Sequence, residues 1–136
     1  EQINDTNKIQ IKAAHDAYLK NFSCLHDRTL SIDKINNKIV GQDKLALNSL
    51  TSRIKYDIRF HLYPGLTAVQ TIGGNTLLIQ INKNKALLFS TNGKNLKIEK
   101  SIFFGGQKVL DNYCIVISGT MENNEKTINW EIKKKI

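Results

Sequence analysis

Three histidines, two cysteines and an excess of lysine are the side chains of this chain best suited to chemistry. His15, His26 and His61 stand far apart, with no H-x-x-x-H or H-E-x-x-H spacing to put two imidazoles on one zinc. His61 follows Asp57 and Arg59 at alternate positions, which is the pattern of a solvated strand face rather than of a general base. His26-Asp27-Arg28, close behind Cys24, has the residue types of an activated thiol site. A Cys–His dyad is assembled by the fold and not by adjacency, however, and a bridge to Cys114 would consume the nucleophile. Asp57 is the one carboxylate in its stretch, so no acid and base pair of the glycosidase kind is in view. Gly73-Gly74-Asn75 and Gly105-Gly106-Gln107 match neither phosphate-binding glycine pattern and lead into no helix, so they read as turns or bulges. No catalytic residue, metal-ligand set or cofactor is expected.

Cys24 and Cys114 are the only cysteines and form no C-x-x-C motif. They are either a long-range disulfide in an exported protein or two buried thiols in a cytosolic one. The chain begins at Glu1 rather than Met, and the two observations together favour a Cys24–Cys114 bridge and a periplasmic or extracellular location. Free thiols at both positions would instead point to the cytoplasm. A bridge would restrict the unfolded chain by about 4 kcal/mol in the loop-entropy treatment.

Lysine carries the remaining functional content. The net charge is +8, which attracts anionic polymers and also keeps a protein soluble. Lys83, Lys85, Lys94, Lys97, Lys100 and Lys108 face a single acid, Glu99, and Phe103-Phe104 lie among them beside a glycine pair. Lysines around an exposed ring suit a binding surface for single-stranded nucleic acid or an anionic membrane face. The simpler reading, which the sequence favours, sends one Phe into the core and lays the other over a sheet edge. Lys outnumbers Arg, the residue of bidentate recognition, and Lys133-Lys134-Lys135 reads as a solubilising end.

Arg53 to Gly65 is the stretch that must position everything else. Ile54, Tyr56, Ile58, Phe60 and Leu62 alternate with Lys55, Asp57, Arg59 and His61, giving a half-buried strand that Pro64-Gly65 stops. Ile11, Ala14, Tyr18 and Leu25 recur at helical spacing, which predicts an amphipathic helix over 7–25 after a frayed 1–6. Weak strands around 29–32 and 38–40 end at Gly41, and Asp43 then caps a short helix to about Ser52. Beyond 65 the spacing predicts an antiparallel meander, with Asn92-Gly93 as a hairpin turn and Val109–Gly119 as a long strand. The fold class expected is α+β: one domain over 1–136, its helical and irregular part at 7–52 covering an antiparallel sheet of about five to seven strands at 53–133.

No apolar run approaches the ~20 residues of a membrane helix. The leading function expected is a non-catalytic exported module that binds or assembles with another protein. The alternative is a basic anion-binding protein contacting nucleic acid or an anionic envelope polymer. A pilin-like filament subunit and a toxin-immunity or inhibitor protein are further readings, and an enzyme would need a deep pocket holding a polar cluster.

Overall fold

The computed structural model describes residues 2–4, 8–15, 24–47 and 54–135, and among these it contains strands and no helix. Eleven strands follow in order: β1 (Gln2–Asn4), β2 (Lys8–His15), β3 (Cys24–Asp33), β4 (Lys38–Leu47), β5 (Ile54–His61) and β6 (Thr67–Gln70), then β7 (Thr76–Gln80), β8 (Ala86–Thr91), β9 (Asn95–Gly105), β10 (Lys108–Met121) and β11 (Glu125–Lys134). They form an eight-stranded sheet, β1-β2-β3-β4-β11-β8-β7-β6, and a three-stranded sheet, β5-β10-β9. All pairings are antiparallel, and the two sheets face each other as a sandwich.

The α+β expectation is therefore overturned. In the predicted 7–25 helix, residues 8–15 and 24–25 are strand, and 7 and 16–23 lie outside the described residues. Ile9 and Ile11 alternate with Gln10 and Lys12, and this period of two, fixed by pairing with β3, prevails over the looser helical spacing. The predicted 43–52 helix fails likewise: Asp43, Leu45 and Leu47 point inward from β4, and 48–52 lie outside the described residues.

From Ile54 to Gly65 the stretch behaves as its alternation dictates, and Arg53 lies outside the described residues. On β5, Ile58 is buried and Phe60 half-buried, while Lys55, Asp57 and Arg59 stay exposed. Its partner β10 is covered on both faces. Ile115 and Ile117 meet Phe89, Ile128 and Trp130 of the large sheet. Cys114 and Val116, equally buried, lie on the outer face between β5 residues His61 and Arg59 and β9 residues Glu99 and Lys97. Stems of long charged side chains thus roof an apolar pair.

Asn92-Gly93 does not close a hairpin. β8 belongs to the large sheet and β9 to the small one, so this dipeptide carries the chain between layers. It is tied down by Asn92 N–H to Asn129 O (3.2 Å) and Asn129 N–H to Asn92 Oδ1 (2.9 Å). A Cβ on Gly93 would overlap Ile117. The true tight hairpin is at Gly105–Lys108, where Gly106 takes φ 63°.

The expected disulfide is also overturned. Cys114 is a free, fully buried thiol in the small sheet, whereas Cys24 begins β3 in the large one.

Candidate functional site

The small sheet has three strands to the large one's eight, and its edge strand β5 lies across from β3 and β4. A cleft of about 410 Å³ opens there. Residues 54–59 line one side along the free edge of β5; Leu45, Met121, His26 and Arg28 line the other parts of its wall.

The wall is organised by Asp43, which is fully buried. Register places Arg28 directly opposite Asp43, with His26 two residues along the same face of β3. The Asp43 carboxylate accepts from Arg28 Nε (2.7 Å) and Nη2 (3.2 Å), from Trp130 Nε1 (2.9 Å), and lies 2.7 Å from His26 Nε2. Burial pushes its pKa up, but the bonds from His26, Arg28 and Trp130 and the guanidinium charge outweigh this, so the carboxyl titrates below its ordinary value. Arg28 also sits 5.4 Å from the Phe60 ring centroid and 6.0 Å from that of Trp130, within cation–π range. Among the described residues, Asp43 takes two of the guanidinium's five N–H groups.

Two glycines give the aromatic members their places. A Cβ on Gly41 would overlap the Trp130 indole, so the position that seemed to end a strand is the interior gap in which the ring lies. Gly119 does the same for Tyr56, whose ring crosses it from the paired position on β5. Burial pushes the Tyr56 phenol above its ordinary pKa, so its hydroxyl stays a donor at neutral pH. At the rim of the cleft, Arg59 is held by Glu99 (2.8 Å) and Asp57 (3.2 Å), and Lys97 also reaches Glu99 (3.0 Å).

The lysines expected to share a patch stand on several different elements. Lys97 is spent on the Glu99 network, and Lys94 lies in the crossover between sheets. Lys100 and Lys108 stand on the β9–β10 ribbon. Lys83 and Lys85 belong to the β7–β8 turn. Neither Phe103 nor Phe104 joins the core: Phe103 packs edge-on against Tyr63 at 5.6 Å, and Phe104 is 76% exposed. His61 is on the outer face of β5, opposite Cys114. Asp43, Trp130 and Tyr56 were missed as site residues. The signal for Asp43 was its alternation with Leu45 and Leu47, which marks an inward-facing acid once the segment is read as a strand.

The fold is thus an antiparallel sandwich with a cleft at the edge of its smaller sheet, where Arg28, Lys55 and Arg59 gather around Tyr56. Residues 1–131 match the family described as Heparinase II/III-like, C-terminal, and the chain belongs to that family. Among solved structures it is similar to the heparan sulfate lyase HepC of Pedobacter heparinus, wild type and mutant, with a TM-score of 0.78 and 11% identity. That match covers 98% of this chain and 21% of the lyase, so the chain spans about a fifth of its relative. A Synechocystis sp. protein aligns with a TM-score of 0.44 and 12% identity, over 99% of this chain and 64% of that one. Comparison with curated protein sequences finds no match.

Proposed function

We propose that this domain binds an acidic polysaccharide through the β5-edge cleft and is not catalytic by itself. The observation that carries the reading is the buried Asp43, which fixes Arg28 and His26 in the cleft wall. A buried ion pair is a poor route to stability, since an apolar replacement of like volume does as well. What it supplies instead is a guanidinium held in the cleft wall, a group suited to a carboxylate or sulfate ester. Lys55 adds charge at the rim, and Tyr56 offers a ring face and a hydroxyl for a sugar. The family and the likeness to a heparan sulfate lyase support this ligand class. They also support a site of action outside the cytoplasm, where such polymers are met, and the loss of the disulfide leaves that location resting on the ligand alone. Titration calorimetry with a heparan sulfate disaccharide tests the reading. Lys55→Glu and Arg28→Lys should each weaken binding by about tenfold or more, one good charged hydrogen bond being worth roughly 1.5–3 kcal/mol. Unchanged affinity in both variants refutes it.

A second reading is favoured by one contact. His26 shares a hydrogen bond with Asp43, which fixes the ring, in the same cleft as the Tyr56 phenol. A fixed imidazole and a phenol are groups that move protons, so in a longer lyase this wall would supply acid–base groups to a site completed elsewhere. His26→Ala in a full-length lyase containing the domain should then abolish turnover at temperatures well below the variant's own melting transition.

A further inference from the structure

A second basic depression lies at the other end of β3 and β4. Its volume is about 450 Å³, and three separate segments build it: the β3–β4 turn, the β7–β8 turn and the end of β11. Lys34, Lys38, Lys85, Lys133 and Lys134 rim it, over an aliphatic floor of Ile32, Ile39, Leu87 and Ile132. Two carboxylates are near. Asp33 caps its own turn through Ile35 N–H and Asn36 N–H, both 3.1 Å, and Glu131 meets Lys38 at 3.4 Å. Lys34, Lys85, Lys133 and Lys134 are exposed, and among the described residues no carboxylate lies within ion-pair distance of them.

We propose that this groove is a second binding site for the same acidic polysaccharide, so that one long chain engages both ends of the sandwich. The inference rests on the reading of the β5-edge cleft for its ligand class, and on its own geometry for its place. The lysines are not a loose tail. Lys134 N–H bonds Asn37 O (3.4 Å) and Lys135 N–H bonds Ala86 O (3.0 Å), which straps the end of β11 between the two turns. Lys133 stands directly across from Lys38, a like-charge pair that weakens a sheet and that an anion would relieve. The floor is aliphatic and carries no aromatic ring, so it offers the C–H face of a sugar a surface and gives a nucleic-acid base nothing to stack on. A concave site likewise suits a chain better than a flat membrane face. His26 at the cleft and Ile32 at the groove are about 20 Å apart along β3, a distance one extended polymer can bridge.

The test compares a heparan sulfate disaccharide with full-length chains, across a range of salt, on the 136-residue protein. The groove variant combines Lys34→Glu, Lys85→Glu, Lys133→Glu and Lys134→Glu; Lys85→Glu alone, in an exposed turn, serves if the combination misfolds. The groove variant should keep one disaccharide equivalent, at the cleft, with wild-type affinity and lose about 100-fold in affinity for long chains. The slope of log affinity against log salt should shrink with each neutralised contact. Long-chain affinity and slope equal to wild type overturn the groove. A single-stranded DNA of matched charge that binds as tightly, and is lost in the same variant, overturns its assignment to polysaccharide. Failure of the cleft reads separately, as disaccharide affinity indifferent to Lys55→Glu.

Discussion

Replacing Asp43 with Asn keeps the side chain's size and removes its charge, so it isolates the electrostatic part of the cluster. Asp43 is fully buried and receives hydrogen bonds from Arg28 and Trp130 as well as its contact with His26. The Asn amide would turn its own N–H groups toward those donors and leave the Arg28 charge without a partner. Removing one member of a buried pair costs about 3–5 kcal/mol. The Arg28 side chain is 38% exposed and can recover water, which sets the expected loss near the lower limit, about 3 kcal/mol. For a domain of this size that lowers the melting temperature by about 10 °C. The pH dependence has a definite sign. Because the folded carboxyl titrates below its ordinary value, its stabilisation is complete above the unfolded value of about 3.9 and is lost as pH falls through the folded one. Urea unfolding followed by Trp130, the single tryptophan, measures wild type and variant at pH 7 and at steps below pH 4. The gap between them should narrow on acidification. A loss under about 1 kcal/mol at pH 7, or a gap equal at every pH, refutes the account of the cluster.

Gly41→Ala should cost roughly 1–3 kcal/mol and alter Trp130 emission, because the new methyl overlaps the indole; Gly73→Ala, which meets only Asn75 Oδ1 at 3.3 Å, should stay within about 0.5 kcal/mol in the same melts. Gly119→Ala displaces the Tyr56 ring and should weaken disaccharide binding by calorimetry, while long-chain binding through the lysine groove falls less. Carboxyl NMR titration should find Glu99 below its ordinary pKa because of the Arg59 and then the Lys97 hydrogen bond, and Arg59→Ala should move it back upward. Cys114 should resist a thiol reagent in the native protein and react once urea unfolds it, since it is buried and unbridged.

The elements legible in the sequence are those with an uninterrupted period of two and a clear stop. β5 is of this kind, and the long strand expected at Val109–Gly119 lies within β10. What local pattern could not reach was the division of strands between layers. Asn92-Gly93 has the residues of a tight turn, but the partners of β8 and β9 lie far away in the chain, and long-range pairing decides where the dipeptide leads. The two lost helices have a similar cause. Ile9, Ile11, Asp43 and Leu45 fit either period, and cross-strand partners rather than propensity select the strand. The cleft was illegible for the same reason: Arg28, Asp43, Tyr56 and Trp130 meet only when four strands from both sheets are assembled.

β11 is last in the order of strands but lies inside the eight-stranded sheet, between β4 and β8. Until it is in place, β1–β4 and β6–β8 are two fragments with raw edges, and neither Trp130 nor its bond to Asp43 exists to join them. The closing pairings, such as Gly41 with Trp130, span most of the chain, so assembly of this layer is a late event of high contact order. A ribosome-bound chain lacking that final strand would show its open edges to any extended neighbour, and a cell making this domain gains from delaying its collapse until synthesis has passed residue 134.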